Sequence, residues 1–163
     1  MPINPYIKSY LLAGQEATPN VLDALLADLA PEDPRWDLRP DPERFTLREI
    51  IAHLADWDPI FLGRGIRIRD EAEPVLPDCD EGQLAIDNDY AHQSPHANRE
   101  RFRKNRKELV AFFKSLPAEG WDRAGYRPPV LGRLTLETLA VLVLAHDGYH
   151  AKQITEWLQT SGR

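Results

Sequence analysis

Apolar residues recur every three or four positions in four long segments of this chain, and almost nowhere do they alternate as in a strand. A helix with one apolar stripe must bury it against another element, and the partners available here are other helices. The first segment runs from about Pro5 to Leu29, with Ile7, Leu11, Val21, Leu22, Leu25 and Leu29 on its stripe. Thr18-Pro19 is expected to interrupt it, because proline suits the first helical position after a threonine cap better than a helix interior. The second segment opens at Thr46, with Glu49 three residues on in a capping-box pattern. It continues through Ile50, Leu54, Trp57 and Phe61 to about Arg69, with Pro59 expected to kink it. The third spans about Pro95 to Leu116, with Phe102, Leu109, Phe112, Phe113 and Leu116 facing in, and the fourth is capped by Thr135 and ends near Thr160.

The connections are long. Asp70 to Pro95 is rich in Pro, Asp and Gly, and an excursion of that length in a compact domain is often functional. Pro117 to Leu134 is a second irregular stretch. Four helices joined in this way predict an all-α four-helix bundle, in which sites are built from side chains facing the core. With 163 residues the chain is long enough for one domain, 1–163, and too short for two ordinary ones.

Composition excludes several functions. A hydrophobic fraction of 42% is that of a globular protein, and no apolar run approaches the roughly 20 residues that span a bilayer, so no membrane partner is expected. Met1-Pro2-Ile3-Asn4-Pro5 has neither the basic nor the apolar region of a signal peptide. The single Cys79 permits no internal disulfide and no multi-cysteine zinc site, and a reducing cytoplasm is the expected location. A net charge of −6 disfavours nucleic acid as a partner.

Histidines stand where such helices should carry Leu or Val. In the last segment Leu139, Val143, His146, His150, Gln153 and Trp157 follow a 4-3-4-3-4 spacing, the core positions of a bundle helix. His146 and His150 therefore stack on one inward face, about 6 Å apart at Cβ. His53 shares its face with Ile50, Trp57 and Phe61 and points inward too. A lone core histidine is ordinarily just hydrogen-bonded. Three aimed at a common interior predict a divalent metal site with one position left open, the arrangement of catalytic rather than structural zinc. His92 and His96 form a rival pair at the same spacing, but Pro95 lies between them where a loop enters a helix, so a solvated loop or a pocket rim is expected there.

These residues resemble the DinB-like superfamily of four-helix-bundle metalloproteins. The likeness is carried by Thr46-Leu47-Arg48-Glu49-Ile50-Ile51-Ala52-His53-Leu54-Ala55-Asp56 and by His146-Asp147-Gly148-Tyr149-His150-Ala151-Lys152-Gln153-Ile154, and it spans nearly the whole chain in helix order. It implies that His53, His146 and His150 bind zinc or nickel, and that the protein is a homodimer, as members often are. Members of known activity are mostly thiol-dependent: transferases of bacillithiol or a similar low-molecular-weight thiol, and a mycothiol-dependent isomerase. The resemblance therefore implies a metal-dependent transferase acting with a small thiol on an electrophilic small molecule. A metal-dependent hydrolase and a non-catalytic stress-response metal-binding protein are the alternatives.

Other residues carry expectations of their own. Asp56 and Asp147 are candidates to orient a ligand imidazole or to act as acid or base, although Asp147, about 100° round the helix from His146, is placed to face a flank or a neighbouring helix. Gln153 lies on the ligand face and is a candidate to bind substrate, or an ordinary buried amide. Arg106 interrupts the inward stripe of the third helix, where it could meet an anionic substrate; the rest of the Arg99–Lys107 run reads as a solvated face. Gly148 is unfavourable in a helix, so its missing side chain is expected to make room beside the site or for another helix. Cys79, between Asp78 and Asp80, is not expected to act as a nucleophile. Trp36, Trp57, Trp121 and Trp157 read as core or pocket wall. The 70–95 and 120–134 connections are expected to wall the pocket.

Overall fold

The computed structural model describes residues 3–161; Met1 and Pro2, part of the signal-peptide reading, lie outside them. Four long helices form the body: α1 (Pro5–Leu25), α2 (Leu47–Asp70), α4 (Pro95–Ser115) and α5 (Leu136–Ser161). A short α3 (Glu81–Asp87) and an antiparallel hairpin, β1 (Ala124–Arg127) and β2 (Gly132–Thr135), occupy the two long connections. The Thr46 side chain and Glu49 close the capping box that starts α2, and Thr135 Oγ1 accepts from Thr138 N at 3.0 Å to start α5. No helix among the described residues is long and apolar enough to cross a membrane.

Helix α1 packs on α4 and α5, and α2 packs on the same two helices, so α1 and α2 lie across the bundle from each other. Consecutive helices on opposite corners need long connections, which is the physical use of residues 26–46 and 116–135. The Asp70–Pro95 excursion is more ordered than expected: Asp80 caps α3 through Gln83 N, and a 3-10 turn spans Tyr90–His92. The hairpin was not expected either. Its strands are four residues each, too short to show alternation. Leu76 N donates to Tyr126 O and Tyr126 N to Pro74 O, both at 2.8 Å, so the segment after α2 is stitched to β1. A Cβ at Gly125 would come within 2.8 Å of the Pro74 carbonyl, so only glycine permits that approach.

Both helix prolines are accommodated, contrary to the expectation that Pro19 breaks α1. A proline deprives the carbonyl four residues earlier of its donor. Here α4 supplies replacements: Arg106 Nη1 donates to Gln15 O at 3.1 Å, and Asn105 Nδ2 donates to Ala55 O at 2.8 Å. Helix α1 therefore continues through Pro19, and α2 through Pro59.

The apolar core is divided in two. One half gathers Leu11, Leu12, Phe61, Leu109, Phe113 and Val143, the other Leu22, Leu26, Ile50, Leu54, Phe102 and Ile154. Every long helix passes from one half to the other, and at the division it carries buried polar groups: Gln15 and Thr18, His53 and Asp58, Arg106, then Asp147, His150 and Gln153.

Candidate metal centre

The polar layer brings His53, His146 and His150 together, with one ligand-capable atom of each within 4.8 Å of the others. His53 Nε2 and His146 Nε2 are 3.0 Å apart, and the ring centroids of His146 and His150 are separated by 4.6 Å. The His150 ring is set by Gln153, whose Oε1 accepts from Nδ1 at 3.2 Å, leaving Nε2 for the common centre. His53 and His150 are buried and His146 is half-buried, so the group opens on the His146 side. Trp57 and Phe61 stand against His146, at 5.6 and 5.4 Å between centroids.

All three imidazoles are held neutral. Burial, then repulsion from His150 and His146, pushes His53 down to about 2. Burial and the Arg106 charge bring His146 to about 4. Burial and His146 bring His150 to about 3, against the opposing Gln153 hydrogen bond. A neutral imidazole offers the lone pair that a metal needs. The buried His53 Nδ1 has no hydrogen-bond partner among the described residues, which leaves that ring held by packing against Phe45 and Trp57. Three neutral nitrogen donors around one point, with no carboxylate in the group, fit a borderline divalent ion.

The other candidates are placed differently. Arg106 is 2% exposed and does not face a substrate: its Nε and Nη2 donate to Asp58 at 2.8 and 2.9 Å, and its Nη2 to Asp147 Oδ1 at 2.8 Å. Burial works against the Arg106 charge, but the two carboxylates outweigh it and hold its pKa above the ordinary value. Asp147 is thus committed to Arg106 and to Thr18 Oγ1, which donates at 2.8 Å, and faces neighbouring helices rather than the histidine cluster. Asp56 is turned to the α3–α4 side, where it pairs with Arg101 at 2.6 Å and accepts from Tyr90 Oη at 2.8 Å. Gln153 is a buried amide that orients His150. His92 and His96 are exposed, and His92 pairs with Asp89. A Cβ at Gly148 would meet no heavy atom within 4 Å, so that glycine neither makes room nor admits a helix. The four tryptophans are buried.

Sequence reasoning missed Asp58, Thr18 and Gln15. The available signal was Arg106 itself, since an arginine on a core stripe demands a buried carboxylate, and Asp58 neighbours the α2 stripe.

The sequence profile of the DinB superfamily matches residues 15–154. No curated protein matches the chain. Among solved structures it is similar to YfiT from Bacillus subtilis, described as a probable metal-dependent hydrolase with an unusual four-helix bundle topology, at TM-score 0.90 and 22% identity, covering 98% of this chain and 90% of that one. A protein from Streptococcus pneumoniae is similar at TM-score 0.71 and 19% identity, covering 93% and 90%. The sibling lethal factor precursor DfsB is similar at TM-score 0.69 and 19% identity, covering 94% and 96%.

Proposed function

The chain belongs to the DinB superfamily, and on that premise we propose that His53, His146 and His150 hold one zinc or nickel ion, at which a low-molecular-weight thiol is activated to attack an electrophilic small molecule. The observation that carries the reading is the convergence of three neutral imidazoles at the core division. A divalent ion bound there supplies a Lewis acid that favours the thiolate over the thiol. The protein's own residues prepare the place. Gln153 holds the His150 ring so that Nε2 faces inward. The Asp58–Arg106–Asp147 network ties α2, α4 and α5 at the level of the histidines. Trp57 and Phe61 pack against the His146 ring, which is half-buried and so leaves an approach to the histidines.

Thiol chemistry suits this site because the three nearby carboxylates are engaged: Asp56 with Arg101 and Tyr90, Asp58 with Arg106, and Asp147 with Arg106 and Thr18. A small thiol would give up its proton to solvent before the attack, so none has to be removed as the sulfur bonds to carbon and the leaving group departs with its electron pair. Attack by water is aided by a base, and each of the three carboxylates is held in an ion pair instead. The test is consumption of a panel of small thiols in the presence of an aryl halide. Turnover is expected only with metal-loaded protein and is lost in His150→Ala; no turnover with any thiol overturns the transferase reading. Activation of water is the second reading, supported by the description of YfiT as a probable metal-dependent hydrolase. Metal-dependent ester cleavage without thiol would select it.

A further inference from the structure

A second group of unsatisfied polar donors lies along α2 from the histidines. Arg64 is 6% exposed, yet its one hydrogen bond is to the Pro77 carbonyl at 3.5 Å, and no carboxylate among the described residues comes within ion-pair distance of it. Arg127, at the end of β1, pairs with Asp78, whose side chain is 60% exposed, while its buried Nε has no acceptor among the described residues. The indole Nε1 of Trp57 is likewise buried without an acceptor among the described residues. Burial, and then the neighbouring charge of Arg127, push Arg64 below the ordinary arginine range. A guanidinium has five donors, and the face of the Trp57 ring and the nearby Asp78 satisfy none of them; with a single long hydrogen bond and a second guanidinium beside it, burial is unfavourable unless an anion arrives.

Trp57 links this group to the histidines. Its ring centroid is 5.4 Å from that of His53, and the Arg64 guanidinium carbon stands 5.3 Å from the same indole centroid. The guanidinium carbon is therefore no farther from the His53 ring than those two distances together. The stitched segment after α2 and the β1 strand supply Pro77, Asp78 and Arg127.

We propose that Arg64 and Arg127 form an anion-binding end of the substrate site, taking a carboxylate at the far end of the molecule whose other end reacts beside the histidines. Charge selects a carboxylate over a phosphate dianion: Asp78 already neutralises Arg127, so one uncompensated positive charge remains, and a planar carboxylate matches the guanidinium fork. The position of the reacting group rests on the metal-centre reading; the carboxylate site does not.

The test is the melting temperature of zinc-loaded protein titrated with butyrate, a monocarboxylate, at constant ionic strength, because a ligand that binds only the folded state raises it. A saturable rise is expected in wild type, weakened about tenfold or more in Arg64→Gln, in Arg64→Lys, which loses the fork, and in Arg127→Gln. Using three variants keeps the test decisive should one fail to fold. The same rise should survive in protein stripped of zinc by dialysis against a chelator. No saturable rise in wild type, an undiminished rise in both Arg64 variants, or a rise that vanishes with the zinc overturns the proposal. Stronger protection by inorganic phosphate than by butyrate overturns the carboxylate assignment. Failure of the metal reading would show instead as zinc absent from wild type, with butyrate protection intact.

Discussion

Arg106 reaches across the bundle to Asp147, the residue after His146, with Nη2 2.8 Å from Oδ1, and its other edge holds Asp58. One α4 side chain thereby fixes two helices that carry histidines. The arrangement is a buried ion network whose members are each almost wholly enclosed.

Replacing Arg106 by Met should therefore destabilise the fold by about 3–5 kcal/mol, because Asp58 and Asp147 would be left buried without a cation. Urea unfolding measures this. Adding Asp58→Asn and Asp147→Asn to the same chain should recover a large part of the loss, since the stranded carboxylates are then gone. Equal stability of wild type and Arg106→Met would contradict the network.

Metal content separates a shared site from three core histidines. Elemental analysis of untagged protein is expected to find about one zinc or nickel per chain. The content should fall to background in His53→Ala and in His146→Ala alike, although the two residues lie on different helices. Metal retained in either variant would remove that residue from the ligand set.

Acid should unfold the metal-free protein. The three histidines titrate in the unfolded chain near an ordinary value of 6.5, whereas His146 and His150 are held down to about 4 and about 3 when folded, and His53 lower still. Below pH 6.5 the unfolded state then binds more protons, so stability falls as pH drops, by up to about 1.4 kcal/mol per pH unit for each histidine. Asp58 acts in the opposite sense. Burial raises it to about 6, so below that pH the folded state takes up a proton first and offsets part of one histidine. Urea midpoints between pH 7 and pH 4.5 should show the net loss, with a shallower slope in His150→Gln. A flat profile would mean that the imidazoles are not held neutral.

Asn105 stands in for the backbone donor that Pro59 lacks. Asn105→Ala should lose about 1 kcal/mol by leaving the Ala55 carbonyl unpaired. In a Pro59→Ala background, where residue 59 regains its N–H, the same substitution should matter much less. A double-mutant cycle reads the difference directly, and additive losses would disprove the substitution of one donor for the other.

Helical periodicity placed all four long helices within a few residues, and the capping residues Thr46 and Thr135 were readable because a cap is a local hydrogen bond. The inward register of His53, His146 and His150 was equally legible, since the face of a helix follows from its period. The sequence could not say that Pro19 lies inside a helix, because the donor that rescues the Gln15 carbonyl is Arg106, about ninety residues away. The same distance hid the roles of Asp147 and Arg106: spacing shows which face a side chain leaves, and only packing shows what stands opposite. The partners of Asp56 and the pairing of Arg127 with Asp78 were beyond reach for that reason. Local order is written in neighbouring residues and their period. Whether a buried charge is a ligand, a strut or a vacancy for substrate is decided by residues that meet only once the helices have packed.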